Sequence, residues 1–79
     1  MSIPQISEWG LPVSHLTKVI DEWIYNEAHR DIIKRHMLNA ESFEEISLSH
    51  NLSYERIREI YYEGRKQVYT HRNDIKTTE

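Results

Sequence analysis

Seventy-nine residues hold one domain, and a chain this short buries only about 60% of the surface its unfolded form exposes. The absence of cysteine excludes a thiolate metal site, and no apolar run approaches the roughly 18 residues of a membrane span. The net charge of −3 excludes the strongly basic surface of a sequence-independent DNA binder.

The charge is unevenly spread. Residues 1–29 set Lys18 against Glu8, Asp21, Glu22 and Glu27, a net of −3. Residues 30–52 carry −1, and residues 53–79 carry six basic and five acidic groups, a net of +1. The C-terminal third is therefore permissive for phosphate contact. The start, MSIPQISEWG, lacks the basic-then-apolar form of a signal peptide, so a cytoplasmic protein is expected.

Taken in order, the chain begins with an irregular N-terminal arm over residues 1–13, punctuated by Pro4, Gly10 and Pro12 and pinned by Ile6 or Trp9. Trp9 has a second reading, as an exposed anchor for a partner. Leu16, Val19, Ile20, Trp23 and Ile24 recur at helical steps and predict a first helix over about 14–25. Asn26 is a candidate N-cap for a second helix carrying Ala28, Ile32, Ile33, Met37 and Leu38 inward. One long helix running through Asn26 is the alternative. Asn39 is expected to close this helix in the left-handed conformation.

Ser42 and Glu45 form a capping box for a short third helix, with Phe43, Ile46 and Leu48 inward. Ser53 caps a fourth helix whose inner face carries Ile57, Ile60, Tyr61, Gly64 and Val68. Gly64 in a helix interior predicts close approach of another helix. Residues 71–79 form a polar C-terminal tail, expected to fray, and no strand pattern occurs. The fold class is all-α with four helices, the domain spanning 14–70.

The stretch from Ser42 to Tyr62 meets the demands of a helix-turn-helix. Asn51 is the turn residue that tolerates positive φ, Ser47 is small at the crossing, and Ile46, Leu52, Ile57 and Ile60 are the apolar anchors. An ordinary αα-hairpin in a small bundle is the competing reading.

"SFEEISLSHNLSYERIREI" over 42–60 resembles the C-terminal DNA-binding region, region four, of bacterial primary sigma factors and small sigma-like regulators. The resemblance rests on the acidic pair Glu44–Glu45, the cap Ser53 and the string Glu55-Arg56-Ile57-Arg58-Glu59-Ile60, and extends loosely over 16–70. It implies a sequence-specific transcription regulator that inserts helix 53–70 into the major groove of double-stranded DNA. Glu55 and Arg58 then correspond to base readers, chemistry that suits them, since Arg bonds guanine O6 and N7 and Glu accepts from cytosine N4. Tyr54 joins the base-reading set at a position where the family carries Arg, which removes one cation. Ser53, Arg56, Tyr62, Arg65 and Lys66 are the expected phosphate contacts. The family also docks on RNA polymerase, and one such helix needs that tether, or a second copy on a neighbouring half-site, to bind usefully. No counterpart of the promoter-melting segment is present, and the length suits a freestanding regulator of the kind a phage or mobile element encodes.

A solvated, ion-paired helix face with Glu55, Glu59 and Glu63 at four-residue spacing would look similar. The runner-up function is accordingly a protein–protein module: a sigma mimic that binds polymerase or another regulator without reading DNA. Five histidines offer no His-x3-His spacing, so no metal and no cofactor is expected. No nucleophile elbow, phosphate loop or carboxylate pair is present, so no enzyme activity is expected either.

Overall fold

A computed structural model describes residues 4–74. Met1–Ile3 of the arm and residues 75–79 of the tail lie outside the described residues. The fold is all-α: a short 3-10 turn (Ile6–Glu8) precedes α1 (Val13–Trp23), α2 (Glu27–Met37), α3 (Phe43–His50) and α4 (Tyr54–Thr70).

The chain breaks between α1 and α2 rather than running through. Ile24 turns extended (φ −105°, ψ 106°), and the Asn26 side chain accepts the His29 amide at 3.1 Å, so the second helix has its own cap. α2 closes differently from expectation. The left-handed residue is Ala40 (φ 57°), one position beyond Asn39. The Glu41 amide donates to the Arg35 carbonyl at 3.0 Å, Arg35 donates twice to Glu41 Oε1 (2.9 and 2.7 Å), and His36 Nδ1 lies 2.8 Å from the Glu41 carbonyl. The register of these ties sets which residue bends, overriding the local preference of Asn.

Ser42 and Glu45 make the full capping box of α3. Asn51 adopts the left-handed conformation (φ 56°, ψ 40°), and the next amide, of Leu52, donates to the Ser47 carbonyl at 3.1 Å. Ser53 then accepts the Arg56 amide at 3.1 Å and opens α4. Three residues thus turn the chain from one helix into the next.

Two apolar clusters meet along α4. Leu16, Val19, Ile20 and Ile24 of the α1 side close with Ile33 on Tyr61 and Val68, while Ile32 and Ile46 close on Ile57 and Ile60. Phe43 touches both clusters. The seven named aliphatic core residues that precede α4 come from helical spacing that the sequence displays.

Some expected inward residues face out. Leu48 is 83% exposed, because two residues on from the buried Ile46 is about 200° around a helix. Leu52, expected as an anchor, is 39% exposed in the turn, and Ala28 is exposed. Trp23 is half-buried: its ring stacks on His71 at 3.7 Å and its Nε1 donates to the Asp74 carbonyl at 2.7 Å. Residues 71–74 therefore fold back on α1 instead of fraying. At the other terminus Trp9 packs on the core, 5.1 Å from the Tyr69 ring, and donates to the Pro4 carbonyl at 3.0 Å.

Candidate nucleic-acid interface

Ser53 decides where α4 begins, and the left-handed turn before it leaves the first helical turn projecting outward. Tyr54 (47% exposed), Glu55, Arg56 and Arg58 are all exposed, while Ile57 between them is fully buried and fixes the helix's rotation. At about 100° per residue, Tyr62 lies about 20° from Glu55 around the axis, Lys66 about 20° to the other side, and Arg58 about 60° away. Glu55, Arg58, Tyr62 and Lys66 thus share one outward face, with Tyr54 at its edge.

Aromatic packing holds that edge. Tyr54 meets the Phe43 ring edge-on at 5.8 Å, Tyr62 meets Phe43 at 6.1 Å and Tyr61 at 5.2 Å, and the Arg58 guanidinium lies 5.8 Å over the Tyr62 ring. Phe43, at the start of α3, therefore braces the exposed tyrosines of α4. His36 stacks on Phe43 at 4.0 Å and meets Tyr61 at 4.5 Å, which makes it a packing residue. Sequence reasoning placed Phe43 in the core but missed this bracing role. The signal is visible in Tyr54, Tyr61 and Tyr62, which recur at seven- and eight-residue steps along one flank of a helix.

Two of the expected phosphate contacts are engaged within the chain. Arg65 turns toward the arm, where its Nη2 donates to the Pro4 carbonyl at 3.0 Å. Arg56 sits about 100° from Glu55 and bonds Glu59 Oε1 at 3.2 Å. Glu59 lies about 40° from Glu55, so the outward face carries two carboxylates beside Arg58 and Lys66.

The turn itself is braced from α2. His50 Nε2 lies 2.7 Å from Asp31 Oδ2, Arg35 lies 3.7 Å from the same oxygen, and the Glu41 hydrogen bond drives the already high Arg35 pKa further up. α3, and with it the start of α4, is tied to α2 at its C-terminal end.

Comparison of the chain with protein-family models, with curated proteins and with solved structures gave no match. Among the described residues, no three His, Asp or Glu side chains converge into a metal-binding group, and no helix is long and apolar enough to cross a membrane. The outward face of α4 presents exposed donors, acceptors and aromatic rings.

Proposed function

We propose that the chain is a sequence-specific DNA-binding transcription regulator of the sigma region-four type, with α4 entering the major groove. Arg58 and Glu55 read base edges, Tyr54 contacts them from the rim, and Ser53, Tyr62 and Lys66 seat on phosphates. Arg56 reaches a phosphate by exchanging its Glu59 partner, whereas Arg65 braces the arm. The observation that carries this reading is the outward first turn of α4, delivered by the left-handed Asn51 and the Ser53 cap and locked by buried Ile57. Selection from randomised duplexes, followed by a salt series on the winning sequence, tests it. An enriched motif with affinity falling as salt rises is expected. Failure to enrich any motif sinks the reading.

The runner-up, a protein–protein module that mimics a sigma domain on RNA polymerase or another regulator, draws on a different observation. Leu48 and Leu52 lie exposed beside the turn, and Glu55 and Glu59 share the outward face with the base readers. Co-purification with polymerase in the absence of any enriched motif favours it.

A further inference from the structure

A groove of about 910 Å³ runs between the α1–α2 corner and the flank of α4 that faces away from Phe43. Its floor is apolar, made by Ile24, Ile33 and Ile60, with the Ile33 side chain packed directly against Gly64. One wall is aromatic: Trp23, and Tyr25 standing 74% exposed on the link between the helices. The other wall is acidic, with Glu55, Glu59 and Glu63 on successive turns of α4.

Three carboxylates face two arginines along this groove, an excess of negative charge. Of the two cations that line it, Arg56 is held by Glu59 and Arg58 leans on the Tyr62 ring. Glu55 and Glu63 make no ion pair or hydrogen bond among the described residues. The far wall belongs to the acidic portion of the chain, residues 1–29 at net −3, and exposed Glu27 follows directly after Asn26.

We propose that this groove docks a cationic, amphipathic segment of a partner protein. Apolar side chains of the segment seat on Ile24 and Ile60, and its Lys or Arg heads lie between Glu59 or Glu63 and the face of Tyr25. From Glu55 to Gln67 the wall is about 18 Å long, room for several side chains in a row. The groove shares Glu55, Arg56, Arg58 and Tyr62 with the outward face of α4, so a partner segment and a duplex compete for α4, and the inference goes beyond DNA reading.

Isotope-labelled full-length chain, titrated with a synthetic amphipathic peptide bearing Lys and Arg, tests the proposal. A control peptide keeps the apolar residues and carries Glu in place of the cations, and a random-sequence duplex is titrated in parallel. The cationic peptide is expected to shift the Trp23 indole and the amides of Tyr25 and Gln67, and the acidic peptide to leave them unmoved. Glu59→Gln with Glu63→Gln is expected to weaken the cationic peptide about five- to tenfold, an effect of two partly exposed charges. Tyr25→Ala, on an exposed link, is expected to weaken it comparably. Equal binding of the two peptides overturns the proposal, as does binding that moves the Phe43–Tyr54 edge instead of the groove. A duplex that shifts the Trp23 indole and the Tyr25 amide, which lie on the groove wall away from α4, assigns that wall to nucleic acid and also overturns it. The peptide arm and the duplex arm are read separately, so failure of DNA reading at Arg58 leaves the groove result standing.

Discussion

Gly64 of α4 lies directly against Ile33 of α2. A Cβ built on Gly64 would collide with Ile33 Cδ1 and fall 2.7 Å from its Cγ1, and Ile33 is fully buried. The contact lets α2 and α4 approach closely, and it sets the depth at which the outward face of α4 is carried.

Gly64→Ala sets two effects against each other. Helix propensity favours Ala by about 1 kcal/mol, whereas overpacking a filled core costs about 1–3 kcal/mol. The steric effect wins, and a net loss of roughly 1–2 kcal/mol is expected in chemical denaturation. Adding Ile33→Val, which removes Cδ1, should recover part of that loss. Additive losses in the double variant would show that the two residues do not share the contact.

Ala40→Gly is expected to stabilise the protein. Ala40 holds φ 57°, a conformation that costs an L-residue about 1 kcal/mol or more and a glycine nothing. The glycine loosens the unfolded chain, which returns part of the gain, so a net of roughly 0.5 kcal/mol is expected from the denaturation midpoint. A lowered midpoint would place the strain elsewhere in the α2–α3 link.

Tyr61 makes stability fall in alkali. Burial pushes its phenol up from 10.0 to about 12, with the Arg65 charge acting in the opposite direction. The folded chain thus holds this proton more tightly than the unfolded chain does. The stabilisation is fully present below pH 10 and is lost as pH rises through about 12. The total at stake is roughly 2–3 kcal/mol. Tyr61→Phe should flatten this part of the pH profile; an unchanged profile would assign the alkaline loss to other groups.

Arg58→Ala addresses the base-reading assignment. It is expected to cost about 1–3 kcal/mol on the selected duplex and to relax preference at one base pair. Lys66→Ala should instead weaken all sequences alike and reduce the salt slope by about 1. Selectivity that survives Arg58→Ala removes Arg58 from the reading set.

Local chemistry decides much of this protein. The caps at Asn26, Ser42 and Ser53 and the left-handed turn at Asn51 depend on a side-chain oxygen or on backbone preference within three or four residues, so each is legible in the sequence. The buried faces of α1 and α4 follow from helical period, and the isolated Gly64 announced a close neighbour. Residues whose place depends on distant partners were not legible. Leu48 is apolar but faces water because Ile46, packed against α4, sets the rotation of α3. Ala40 bends rather than Asn39 because Arg35 and His36 capture Glu41. Arg65 leaves the outward face for a carbonyl 61 positions earlier in the chain, and Phe43 gathers tyrosines from α4 around itself. The sequence by itself determined where the capped helices start and where the chain turns at Asn51, since those are settled over one helical turn. Only the tertiary structure decided which cations face outward, which tyrosines are braced and where the acidic groove lies, because each depends on side chains that meet across helices.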